Sequence, residues 1–290
     1  MKLLVTGAHG MVGRAVVKHA EALDYQVASF TRAALDITDA EAVTREVTRL
    51  RPDAIINCAA WTDVDGCETD AARAYAVNAA AVENLARAAR HTGACFVTIS
   101  TDYVFDGAKD GFYTQRDNPH PLGIYAQSKL DGERRAQAAH ARTVVVRTGW
   151  VYGEHGTNFL SRVATDTANL LAELAARGAN IKAINDSYGS PTAARDLAAR
   201  LCELARLDLP GIYHVVGGGA GTDFATFARH ALEVRGFERE AAGLETVSFH
   251  DLKRPAPRPV NSRLRCLLSE HIGLAPLPAW DETFKSKIER

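Results

Sequence analysis

Tyr125 and Lys129 stand four residues apart in the run Tyr125-Ala126-Gln127-Ser128-Lys129, a spacing that puts both side chains on one face of a helix. A phenol beside an ammonium suits proton transfer near neutral pH, because the positive charge favours the phenolate and lowers the tyrosine pKa. Upstream, Ser100-Thr101-Asp102-Tyr103-Val104-Phe105-Asp106-Gly107 follows the apolar run 95–99. Thr101 offers a small hydroxyl at a strand end, where it can hydrogen-bond a carbonyl oxygen. Together these groups could protonate a ketone oxygen while hydride reaches its carbon. A Tyr-x-x-x-Lys also arises on helices by chance, so its meaning depends on the elements that position it.

The first of those elements is N-terminal. A buried strand is expected over residues 3–6, followed by Gly7-Ala8-His9-Gly10-Met11-Val12-Gly13 and a helix to residue 22. Strand, glycine turn and helix form the context in which backbone amides and a helix N-terminus cradle a pyrophosphate. The second strand, 25–30, runs into Thr31-Arg32. A base at this point favours a cofactor with a 2′-phosphate, so Arg32 leans toward NADP(H), with NADH left open. An arginine of a solvated loop would look the same. Ile37, after Asp36, could lie against the adenine. Thr38-Asp39-Ala40-Glu41 reads as a capping box for a helix to residue 50. A third strand at 54–57 leads into Cys58-Ala59-Ala60, small residues that permit close approach of a cofactor.

The acidic run 63–68 is expected to cap a helix rather than hold a metal. Asn78, in the middle of an alanine-rich helix over 71–91, is a candidate for holding a polar group in the core. Further strands are expected at 95–99, 143–147, 182–185 and 212–216, with helices at 125–140, 158–177, 193–207 and 224–235. This alternation predicts an α/β fold, a Rossmann-type doubly wound parallel sheet with a smaller C-terminal substrate-binding domain. Residues 1–150 and 181–215 would form the dinucleotide-binding domain, and 151–180 and 216–290 the other. The glycine turn and Thr101 would then meet at the topological switch point.

Bulk properties narrow the classes further. Lys plus Arg number 34 against 35 Asp plus Glu, so no bulk charge attracts nucleic acid or an acidic membrane. No apolar stretch reaches membrane-spanning length, and the N-terminal apolar run is too short for a signal peptide. Five cysteines with no Cys-x-x-Cys favour reduced thiols and a cytoplasmic location.

Taken together, these motifs resemble the extended short-chain dehydrogenase/reductase superfamily. Within it the chain is similar to the dTDP-4-dehydrorhamnose reductase family, which makes dTDP-L-rhamnose. The resemblance runs from Lys2 to about Ser262. It includes Leu35-Asp36-Ile37-Thr38-Asp39, Ile56-Asn57-Cys58-Ala59-Ala60, Ala74-Tyr75-Ala76-Val77-Asn78, Arg147-Thr148-Gly149-Trp150-Val151-Tyr152-Gly153 and Asn185 through Thr192. It implies NADPH-dependent reduction of a nucleotide-linked 4-keto-6-deoxy sugar, with Thr101, Tyr125 and Lys129 catalytic. It further implies cofactor contacts from Gly7, His9, Gly10, Met11, Val12, Arg32, Asp36, Ile37, Cys58, Ala59, Ala60, Asn78, Ser100, Tyr125 and Lys129. Val64, Thr101, Tyr103, Trp150 and Arg258 would meet the nucleotide sugar, with Arg258 at the diphosphate. A homodimer is compatible with the sequence.

The departures bear on chemistry. Ala15 stands where some relatives carry a glutamate associated with magnesium, so no metal is expected. Gly66 replaces a usual basic residue, and Leu264-Arg265 replaces a usual Leu-Asp, which leaves the sugar nucleotide open. Tyr103 follows Asp102 where the related dehydratases carry a second carboxylate, which favours reduction over elimination of water. Epimerases share the Tyr/Lys pair, and a non-catalytic NADP-binding regulatory subunit is the alternative outside enzymes.

Overall fold

The computed structural model describes residues 1–285; residues 286–290, the end of the expected C-terminal domain, lie outside the described residues. The chain opens with β1 (Lys2–Thr6), α1 (Met11–Ala22), β2 (Gln26–Phe30), α2 (Ala40–Leu50) and β3 (Ala54–Asn57). Then come α3 (Val64–Thr69), α4 (Ala71–Tyr75) and α5 (Ala81–Thr92), followed by β4 (Cys95–Thr101), α6 (Ile124–Ala139) and β5 (Thr143–Thr148). A second group follows: β6 (Val151–Tyr152), α7 (Phe159–Thr165), α8 (Thr167–Ala176), β7 (Lys182–Ile184), β8 (Tyr188–Gly189) and β9 (Thr192–Ala193). Next are α9 (Ala194–Leu207), β10 (Gly211–His214), β11 (Thr222–Asp223), α10 (Phe224–Val234), α11 (Glu238–Ala242), β12 (Glu245–Val247), α12 (Leu267–His271) and α13 (Glu282–Lys285).

Six of the strands form one sheet in the order β10-β5-β4-β3-β1-β2, parallel at every pairing. Both of its faces are covered, which is why its inner strands are apolar runs rather than alternating ones. Leu3, Val5, Ile56 and Val97 pack with Val16, Leu197 and Leu201 on one side. Leu4, Ile55 and Phe96 pack with Val43, Val47 and Leu85 on the other. The direction of travel reverses between β1 and β3, and that crevice is the switch point where such sheets bind ligands. β4 lies one strand further on.

The expected strand at 182–185 does not extend this sheet. β7 pairs instead with β12, from Lys182 opposite Glu245 to Ile184 opposite Val247. Ile181 and Ala183 bury themselves with Val163, Phe227 and Leu232 in a separate core. β7 is only three residues long and opens on the exposed Lys182, unlike the inner strands of the large sheet, and it forms a small separate ribbon. The chain returns to the large sheet later, through α9, which packs on α1.

Two expected long helices are interrupted. Residues 76–80 wind as a π-helix between α4 and α5, a local widening often found at functional sites. Asp166 separates α7 from α8. The cap of α2 is also one residue later than expected: Asp39 accepts from the Ala42 amide at 2.9 Å, while the Thr38 hydroxyl donates to Asp36.

Candidate active site

The C-terminal ends of β1, β3 and β4 lie side by side. Gly7 has φ +67°, and a Cβ there would stand 2.6 Å from the Ala59 nitrogen and the Cys58 carbonyl carbon. Only glycine lets the first turn lie this close to the third. Asn57 joins the three ends. Its Oδ1 accepts from Thr6 Oγ1 at 2.7 Å and from the Ala59 amide at 3.1 Å, and its Nδ2 donates to Thr98 at 3.1 Å.

Gly10 precedes α1, and no side chain caps that helix. The first turn therefore keeps its amide donors and partial positive charge for an anion. His9 and Gly10 are exposed on this turn, with Met11 and Val12 half-buried behind them. Cys58, Ala59 and Ala60 are half-buried on the facing rim. Arg32, just beyond β2, is 74% exposed and makes only a 3.9 Å contact with Asp36. The Asp36 carboxyl is held below its ordinary value first by the Thr38 amide, then by the Thr38 hydroxyl. These features fit a dinucleotide with a 2′-phosphate. Ile37 differs from expectation: its side chain is in the core beneath the sheet, not on an open surface.

The chemical end of the crevice is built by β4 and α6. Glu68 accepts the Ile124 amide at 2.7 Å, which fixes the first turn of α6 and with it Tyr125. The ring of Tyr103 meets Tyr125 edge-on, with centroids 6.3 Å apart. Thr101 is buried; its hydroxyl donates to Asp102 Oδ1 at 3.1 Å and accepts the Tyr103 amide at 3.2 Å. Burial pushes the Tyr125 phenol above its ordinary value, and the Thr101 hydroxyl opposes this.

Sequence alone had the lysine lowering that phenol, and here the outcome differs. Lys129 is buried, donates to the Ile99 carbonyl at 2.6 Å, and does not set the phenol's titration. Burial lowers the lysine itself to about 8, with Glu133 and Cys58 pulling the other way. One turn further on, Glu133 takes three hydrogen bonds from Arg147, at 2.9, 3.2 and 2.7 Å. The same carboxylate accepts the Ser100 hydroxyl, so the Ser100 side chain is committed inward. Asn78 reaches out from the π-helix: its Oδ1 accepts the Trp61 amide at 2.9 Å, and its Nδ2 donates to the Trp61 carbonyl and to Ser128 Oγ, both at 3.1 Å. It thus holds backbone beside the site, as its type suggested.

On the substrate side, a narrow cleft is lined by Val64, Tyr103, Leu122, Gly123, Tyr125, Ala126, Pro257 and Pro259. Val64, Tyr103 and Tyr125 are brought together as expected. Arg258 comes close, yet its guanidinium is tied to Asp65 by contacts of 2.9 and 2.8 Å. Arg254, exposed, lies near enough to lower the Tyr103 phenol, which burial pushes up to about 12. Trp150 has φ +49° and stacks on Phe224 at 3.8 Å, so much of its surface serves the second core. Glu68, Asn57 and Glu133 were not foreseen. Of these only Glu133 had a legible signal, its i, i+4 spacing from Lys129.

A parallel Rossmann sheet with a tyrosine and lysine on the helix after its fourth strand is the arrangement of extended short-chain dehydrogenase/reductases. The chain matches the family described as RmlD substrate binding domain over residues 1–290. It is 38% identical over 290 residues to dTDP-4-dehydrorhamnose reductase of Mycolicibacterium smegmatis, covering 99% of this chain and 85% of the relative. Among solved structures, the dTDP-4-dehydrorhamnose reductase of Clostridium acetobutylicum superposes with TM-score 0.91 at 33% identity, over 100% of this chain and 99% of that one. That of Bacillus anthracis, in complex with NADP, gives 0.90 at 32%, over 100% and 99%. The chain belongs to the RmlD family of dTDP-4-dehydrorhamnose reductases.

Proposed function

We propose that this crevice reduces the 4-keto group of dTDP-4-dehydrorhamnose to dTDP-L-rhamnose with NADPH. The observation that carries the reading is a cleft lined by Tyr103 and Tyr125, with the Thr101 hydroxyl against both of them, in a sheet whose first turn is an uncapped glycine turn. The reduced nicotinamide, when bound, supplies hydride to C4 of the sugar. Negative charge then grows on the ketone oxygen, and Tyr125 protonates it. That phenol is in its acid form at neutral pH by its ordinary value of about 10, and burial raises it further. Thr101 offers a hydrogen bond that strengthens with the developing charge. Lys129, fixed by the Ile99 carbonyl, orients the cofactor's ribose.

Gly7, Gly10 and the first turn of α1 take the pyrophosphate, and Arg32 the 2′-phosphate. Arg258 and Arg254 supply positive charge to the substrate diphosphate, with Asp65 holding Arg258 in place. The dinucleotide domain in this reading comprises residues 1–150 and the return through α9 and β10, and the remainder binds substrate. No nucleic-acid or membrane partner belongs to it, and a homodimer is compatible with it. A cytoplasmic location is supported by five free cysteines.

The test is single-turnover oxidation of NADPH with saturating dTDP-4-keto-6-deoxy sugar. Tyr125→Phe keeps the ring and removes the acid. It is expected to bind NADPH as the parent does and to turn over about 10²–10⁴-fold more slowly. Turnover within a few-fold of the parent removes Tyr125 from this role. A parent that binds NADPH tightly and reduces no keto sugar is a binding subunit.

A further inference from the structure

Asp102 lies directly behind the reacting groups and the mechanism above does not use it. It starts the 3-10 turn Asp102–Val104, is 3% exposed, and points back into the fold. Its Oδ1 contacts Thr101 Oγ1 at 3.1 Å, while its buried Oδ2 has no hydrogen-bond partner among the described residues. The carboxyl fills the space beside Gly149, where a Cβ would stand 2.2 Å from its Cγ and Oδ2. The titratable groups that face it are the phenols of Tyr103 and Tyr125; the hydroxyls of Thr101 and Ser262 are its other neighbours. No Lys, Arg or His pairs with it among the described residues. A buried carboxylate with no cation beside it is costly to ionise.

The Thr101 hydroxyl has one proton and two acceptor sites. The Tyr103 amide fills one of those sites. If Asp102 is ionised, the threonine proton is drawn onto Oδ1 and none is left for a ketone oxygen. If Asp102 is the neutral acid, its own O–H can fill the second acceptor site, and the threonine proton is free to turn outward. The same contact then runs in the opposite direction.

We propose that Asp102 is a positioning residue for the reduction: as the neutral acid it donates to Thr101 Oγ1 and turns the threonine proton toward the substrate carbonyl. This rests on the reading of Thr101 as the donor to that carbonyl. Burial raises the Asp102 carboxyl to about 7, against the pull of the Ser262 and Thr101 hydroxyls and of the Asp102 and Tyr103 amides. The hydroxyl is therefore correctly set below neutrality and is progressively lost above it.

The experiment is the pH profile, from 6 to 9, of single-turnover NADPH oxidation at saturating dTDP-4-keto sugar. The parent is expected to slow as pH rises through about 7, by up to a hundredfold, the scale of one lost donor to developing charge. Asp102→Asn presents an amide donor at every pH and is expected to lose the fall near 7. Thr101→Val is expected to be slower and to lack the fall near 7, since the group through which Asp102 acts is gone. Lys129 titrates near 8, but a fall due to the lysine would persist in both variants. NADPH binding by each variant confirms that it folds; if Asp102→Asn fails this check, Thr101→Val decides alone. A parent profile with no fall near 7, or a fall near 7 that survives in either variant, overturns the proposal. A parent with no turnover at any pH instead overturns the reductase reading and takes this inference with it.

Discussion

Arg32 shows how a single side chain can carry specificity with almost no structural duty. It is solvated, and its 3.9 Å contact with Asp36 is the kind of surface pair that contributes little. Asp36 is independently held by Thr38, so the loop keeps its shape without the arginine. Arg32→Ala is therefore expected to leave the melting temperature unchanged. NADPH affinity should fall about tenfold to a hundredfold, the scale of a charge-assisted phosphate contact, with NADH affinity retained. Titration of both cofactors by fluorescence checks this, and equal losses would take Arg32 out of the 2′-phosphate role.

At the scale of elements, α6 carries more than its Tyr and Lys. Its buried face includes Ser128, Lys129 and Glu133, a polar set that a helix hides only when partners are supplied. Asn78 supplies one for Ser128, the Ile99 carbonyl one for Lys129, and Arg147 of β5 one for Glu133. The Glu133–Arg147 pair is almost fully enclosed, at 2% and 4% side-chain exposure. Removing one charge of such a pair strands the other, at a cost of about 3–5 kcal/mol. Glu133→Gln preserves the shape and is expected to lose stability on that scale in urea unfolding. A loss below about 1 kcal/mol would mean that α6 and β5 are joined mainly by apolar packing.

Across the whole molecule, the C-terminal segment is fastened over the outer strand of the large sheet. Leu264 bridges to Tyr113, and His214 at the end of β10 holds the same segment. Its backbone amide meets Cys266 Sγ at 3.3 Å, and its Nδ1 meets the Arg265 carbonyl at 3.0 Å. The imidazole is buried with Nε2 lacking a partner, and burial, then Arg147, lowers it from 6.5 to about 4. Between those values the unfolded chain binds a proton that the folded chain refuses, so this residue makes stability fall as pH drops through that window. From pH 7.5 to 5 the loss amounts to about 2 kcal/mol. His214→Gln lacks this titration, and urea unfolding at both pH values should show the parent losing about that much relative to the variant. An unchanged difference would mean that His214 titrates normally in the folded protein.

The residues that determine their neighbourhood locally were legible in the chain itself. The glycine turn, the apolar strands and the Tyr-x-x-x-Lys spacing each follow from rules of one element: backbone freedom, two-sided burial and helical period. The fold class followed from their alternation, and the motifs carried the family. What required tertiary structure was the partner of each buried polar group. Nothing local says that Asp65 takes Arg258, that Glu68 starts α6, or that Asn57 ties three strand ends, since those partners are 193, 56 and up to 51 residues away. The same holds for β7, whose three residues could have extended the large sheet and instead pair with β12, from a distant part of the chain. The Tyr125 phenol makes the point for chemistry. Spacing alone set it beside a cation, whereas its titration is governed by burial, which is a property of everything packed around it.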